Sequence, residues 1–156
     1  MTRRAFAAAA AAAAMVLLAT SSAAAVTDSS MSVQAPKTVK PGKTIALTAV
    51  VIFDARLHNP PYTYLKAGVW QHRGDDRCLK AVPVDRAGWK ELIHHDFYPD
   101  VDSSDGSPLE LSASVRLKKT GTYRWCGYIY TVESDSYLSE TYHPVVRAQA
   151  RTSVRR

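Results

Sequence analysis

The chain has 156 residues, 46 % hydrophobic and 22 % charged, with a formal net charge of +6 and two cysteines. That suits one modest domain and is too apolar for a disordered segment. Lys and Arg are dispersed, without basic blocks interleaved with aromatics, so nucleic acid is not an expected partner.

Residues 1–25 read as a signal peptide: Arg3 and Arg4, an uncharged apolar run over 5–18, then Ala23, Ala24 and Ala25. The run is shorter than the about 20 apolar residues of a membrane crossing, so no membrane span is expected. Thr2-Arg3-Arg4-Ala5-Phe6 resembles a twin-arginine export signal, but Ala7 and Ala8 depart from its pattern. General export is therefore expected, with the twin-arginine route as the alternative, and the mature protein is secreted. Cleavage after Ala25 leaves 156 − 25 = 131 residues with a charge of 6 − 2 = +4. Positive excess favours anionic partners such as cell-wall polymers. The expected division is a flexible segment over 26–30, one domain over 31–149, and a basic tail over 150–156.

Within the domain, Pro36 confines the preceding segment to an edge strand, and Pro41-Gly42 makes a turn. Ile45, Leu47, Ala49, Val51 and Phe53 then alternate with Thr44, Ala46 and Thr48, the period of a strand with one buried face. A strand follows over 63–72, with shorter ones over 78–84 and 89–97. In the run 109–117, Leu109, Leu111, Ala113, Val115 and Leu117 point one way, and Lys118-Lys119-Thr120-Gly121 turns the chain. Two further strands, TYRWCGYIYTV and TYHPVVRAQA, complete the set. Seven or eight short strands with frequent turns and no mature helix predict an all-β antiparallel sandwich.

The Pro-Gly turn, the alternating strand and the later Gly-Thr-Tyr-Arg-Trp-Cys-Gly-Tyr stretch (121–128) resemble bacterial immunoglobulin-like domains. More narrowly, they are similar to small secreted actinobacterial proteins of uncharacterised function. The resemblance covers about 31–149 and implies an immunoglobulin-like fold; it supplies no catalytic residues to carry over. One departure stands out. Tyr123 and Cys126 are three apart, not two, so they face opposite sides of a strand. Tyr123, Trp125 and Ile129 share one parity; Arg124, Cys126, Tyr128 and Tyr130 share the other. The arginine marks the second set as the wetter one. Cys126 is thus expected on the outer side of a sheet, away from the central core.

Cys78 and Cys126 are expected to form a disulfide, since paired thiols outside the cell oxidise together. A Cys-His nucleophile would need a reduced thiol there. Close cysteine pairs for zinc are absent. Asp100, Asp102 and Asp105 form a weak calcium candidate, with Gly106 one place late and Leu111 where a glutamate should stand. His94 and His95, as strand neighbours, face opposite ways and cannot easily share an ion. No metal or other cofactor is expected. Tyr62, Tyr64, Tyr128 and Tyr130 form the candidate binding surface, because exposed rings stack on sugars or grip peptides. The functional expectation is a non-enzymatic module binding a protein or cell-wall polymer. The alternatives are a carbohydrate-binding module and a small secreted hydrolase.

Overall fold

The computed structural model describes residues 29–53, 63–98, 107–136 and 139–156. The expected leader, Tyr62 and the Asp100–Asp105 loop lie outside them. Eight strands follow in order: β1 Ser30–Gln34, β2 Thr38–Val39, β3 Thr44–Ile52, β4 Thr63–Arg73, β5 Trp89–Asp96, β6 Leu109–Arg116, β7 Gly121–Ser136 and β8 Ser139–Val154. They form two sheets, β1-β3-β6 and β2-β8-β7-β4-β5. Every ladder is antiparallel except the two-residue parallel contact of β2 with β8. Pro36 lies at the step between the sheets, because a residue without an N–H cannot extend a ladder. The pairing β1-β3-β6 with β8-β7-β4-β5 reproduces strands A-B-E and G-F-C-C′ of an immunoglobulin-like sandwich.

The alternating residues of β3 supply one wall of the core: Leu47, Ala49 and Val51 are all inaccessible to solvent. Leu65, Ala67 and Val69 of β4 and Trp125 and Ile129 of β7 face them from the other sheet. Each such Leu or Val contributes roughly 1.5–3 kcal/mol of burial. Gly127 leaves room at the centre, since Met31 and Val33 of β1 occupy the space a Cβ would take. Two buried polar groups are satisfied in series. The Trp125 indole donates to Thr152 Oγ1 at 2.8 Å, and that hydroxyl donates to the Pro36 carbonyl at 2.7 Å. Tyr123 donates back to the Lys119 carbonyl at 3.1 Å, the tyrosine corner that locks this end of an F strand.

Two expectations for the chain path need correction. Residues 78–84 form no strand; they belong to the β4–β5 connection, which crosses over the sheet instead of joining it. Residues 150–154 are not a tail but the paired end of β8, with Val154 opposite Gly121 and the Arg155 amide bonded to the Val39 carbonyl at 3.1 Å.

Candidate functional site

Reactive and aromatic side chains concentrate on the outer face of the five-stranded sheet. Strand pairing sets Trp70 opposite Cys126 and Lys66 opposite Tyr130, all on the face turned away from the core. This face is not wet. Cys126 and Tyr128 are 0 % exposed and Tyr130 and Trp70 only 2 %, as a second apolar cluster with Cys78, Val82, Val84 and Trp89. The expectation of exposed Tyr128 and Tyr130 is therefore corrected. A folded connection covers them, a feature that parity within one strand does not reveal. Arg124, taken as the mark of a wet face, lies half-buried at its margin and donates to the Asp75 carbonyl at 3.4 Å.

The cover is residues 74–88, fixed at several points. Cys78 bonds Cys126, with the Cα atoms 5.6 Å apart. The Tyr128 hydroxyl donates to the Leu79 carbonyl at 3.0 Å. His72 reaches both ends, with Nδ1 3.1 Å from the Gly88 carbonyl and Nε2 3.2 Å from Asp76, while its ring stacks on Trp89. Beneath, the Trp70 indole lies across Gly68, where a Cβ would fall 2.5 Å from a ring carbon; only glycine fits. Cys126 thus occupies the outer side of its sheet, and the bridge ties a sheet to its own connection, leaving the inter-sheet core without one.

Along the rim, a β-bulge between Val69 and Trp70 shifts the β5 register, so Glu91 joins His94 and Asp96 on the outer face. His94 Nδ1 lies 3.0 Å from Glu91 and Nε2 3.2 Å from Asp96, while Lys66 sits 3.1 Å from Asp96. Burial opposes ionisation of Asp96, but Lys66 and His94 outweigh it and hold the carboxyl below its ordinary value. Burial pushes the Tyr130 phenol far up, reinforced by Glu91 and Asp96. Tyr142 donates to Glu140, and that bond, with burial and nearby carboxylates, pushes its phenol up to about 12. Burial likewise raises Tyr128. These phenols stay protonated at any physiological pH and serve as donors or packing, not as bases. His95, as expected, faces the opposite way, against Phe53.

Of the three described tyrosines expected at a binding surface, Tyr128 and Tyr130 are buried and Tyr64 is exposed, at 42 %. Sequence reasoning passed over its companion. Lys66 pairs with Asp96 and the Phe97 amide bonds the Leu65 carbonyl, so continuing that register sets Tyr98, 57 % exposed, level with Tyr64. The signal lay in matching the parities of 64–66 and 96–98, which needs the strand pairing. Among the described residues, no group of three or more His, Cys, Asp or Glu is arranged to hold a metal ion, and no helix is long and apolar enough to cross a membrane.

The fold and this covered face define an immunoglobulin-like β-sandwich stapled across its C–C′ connection. No family model and no curated protein matches the sequence. Among solved structures, the chain is similar to a CARDB domain from Pyrococcus furiosus determined in complex with di-metal ions. The identity is 14 % and the TM-score 0.47, covering 81 % of this chain and 92 % of that one. It is also similar to a Thermotoga maritima protein provisionally named a superoxide reductase, at 15 % identity and a TM-score of 0.42, covering 80 % and 84 %. A PapD-like domain of human CEP192 follows at 12 % and 0.36, covering 82 % and 85 %. Such likeness concerns the fold alone.

Proposed function

We propose that this chain is a secreted, non-enzymatic binding module that works through its surface on a protein or cell-envelope partner. The observation that carries this reading is how the reactive residues are used. Both thiols are consumed in the Cys78–Cys126 bridge, and Trp70, Tyr128 and Tyr130 are sealed beneath the connection it fixes. A bridge between a strand and the connection that covers it suits an oxidising compartment, in line with the leader expected over residues 1–25. The test is co-sedimentation of the purified protein with isolated bacterial cell envelopes. Saturable retention, reversed by unlabelled protein, is expected. A protein that stays in the supernatant at every concentration overturns the envelope reading.

A second reading, carbohydrate binding, is favoured by one observation: Tyr64 and Tyr98 stand level and exposed beside the polar row of Lys66, Asp96 and His94. Rings that stack on a sugar with charged groups at their edge suit a saccharide. Retention on insoluble polysaccharide that Tyr64→Ala and Tyr98→Ala abolish supports it; unchanged retention removes it.

A further inference from the structure

The residues at the opposite end of the sandwich belong to no site described above. Three strands and a turn converge there through backbone bonds. The Gly42 amide donates to the Leu117 carbonyl at 2.7 Å, the Leu117 amide to the Lys43 carbonyl at 3.0 Å, and the Arg155 amide to the Val39 carbonyl at 3.1 Å. Arg116 Nε donates to the Gly42 carbonyl at 3.1 Å, which fixes the Pro41-Gly42 turn against β6. Between these segments lies an open recess of about 760 Å³ with Pro36, Val39, Ile45 and Ala46 in its lining and Lys40, Lys43, Arg155 and Arg156 around it. All four cations are exposed, and among the described residues none of them forms an ion pair with a carboxylate.

Among the described residues no carboxylate neutralises these four cations, so their field is open to an anionic ligand. We infer that this end is a docking site for a linear polyphosphodiester chain with short aliphatic links, such as poly(glycerol phosphate). The inference rests on the binding-module reading and gives it a partner class. Phosphate oxygens would meet the lysines and the arginine forks, and the C–H groups of the links would lie on Pro36, Val39 and Ala46. Two features select this occupant. No aromatic side chain lines the recess, so stacked bases find no platform. Among the described residues, the exposed large hydrophobics Tyr64, Tyr98 and Val145 all lie away from the recess, so none offers a wedge there for a lipid surface. Arg155 is set in place beside the end of β8 by its amide bond to Val39 and by its Nε, which donates to Ser153 Oγ at 2.8 Å.

The test uses fluorescently labelled poly(glycerol phosphate) and the exported protein, read by anisotropy at several salt concentrations. Four phosphate contacts to a flexible chain predict binding about 50-fold weaker at 200 mM than at 50 mM salt. Lys40→Gln with Lys43→Gln, or Arg155→Gln with Arg156→Gln, should each weaken binding at least tenfold and flatten the salt dependence. Lys90→Gln, on the β5 edge, should change neither. Circular dichroism melts confirm that each variant is folded. No binding at 50 mM salt, or equal losses with Lys90→Gln, overturns the inference. So does tighter binding to phosphatidylglycerol vesicles or to single-stranded DNA. Envelope retention that survives all four basic replacements sinks this site while leaving the binding-module reading intact.

Discussion

Removing the bridge, as Cys78→Ser with Cys126→Ala, tests the claim that the outer-face cluster depends on its stapled cover. The sequence separation of 48 corresponds, on the chain-entropy view, to about 4 kcal/mol of stability. The other attachments are smaller. The hydrogen bond from Tyr128 to Leu79 is worth about 1 kcal/mol, and the exposed ion pair of Arg151 with Asp75, at 3.7 Å, contributes less. The bridge is therefore the largest single anchor, beside the His72 contacts and the burial of Val82 and Val84, and its loss should be felt both locally and globally. Urea unfolding should show a stability loss of about 4 kcal/mol, with a melting point lowered by roughly 10–20 °C. In native buffer, acrylamide should quench Trp70 and Trp89 more strongly, while Trp125, in the inter-sheet core, stays protected. Hydrogen exchange over 74–88 should accelerate ahead of the rest. A variant within about 1 kcal/mol of the parent, with unchanged quenching, would show that the cover holds itself and that the reasoning is mistaken.

Three further perturbations probe distinct layers. Gly68→Ala places a Cβ where the Trp70 indole lies, and that ring is wedged against Tyr128 and Tyr130; overpacking of about 1–3 kcal/mol is expected by urea unfolding. Thr152→Val breaks the relay from Trp125 to Pro36 and strands a buried indole N–H, at a cost of about 1–3 kcal/mol; Thr152→Ser, which keeps the hydroxyl, should cost less. Tyr130 and Tyr142 have folded-state values raised above the ordinary phenol value of 10.0. Their contribution is complete below that value and is lost as pH rises through about 12 for Tyr142 and beyond for Tyr130. The urea midpoint should accordingly fall from pH 10 upward, less steeply in Tyr142→Phe; an identical alkaline limb in that variant contradicts the assignment.

The inter-sheet core was legible because it is written locally. The period of two in 44–53 and in 109–117 names the inward residues directly, and β3 buries Ile45, Leu47, Ala49 and Val51 as that period requires. The outer face was not legible in the same way. Period two in β7 separates Tyr128 from Ile129, but both faces are buried, one by the opposing sheet and one by a connection that begins some fifty residues earlier. Nothing within β7 distinguishes a covered tyrosine from a solvated one. The apolar spacing in Cys78-Leu-Lys-Ala-Val-Pro-Val suggested a strand for the same reason: the run does bury Val82, Val84 and Cys78, but against a face, without a ladder. The missing inference was available in principle. An outward thiol whose partner lies in the β4–β5 connection must draw that connection across the sheet.

The same logic explains why the relation to antibody-type domains is one of displaced parts. There, the F-strand cysteine stands two residues after the corner tyrosine, facing the core. In this chain the tyrosine corner is intact at Tyr123, and the position two residues later holds Trp125, whose ring fills the central core and whose N–H is satisfied by Thr152. A bridge and an indole cannot both fill that space. With Trp125 inside, the thiol moves one residue on to Cys126, and the alternation of the strand turns it to the opposite face. Trp70 on β4 has followed it outward, directly across the pair. The sulfur and the second indole thus build a core of their own on the outside of the sheet, and the face that a sandwich commonly offers to solvent becomes interior. The exposed tyrosine pair and the proposed cationic recess both lie outside that covered face.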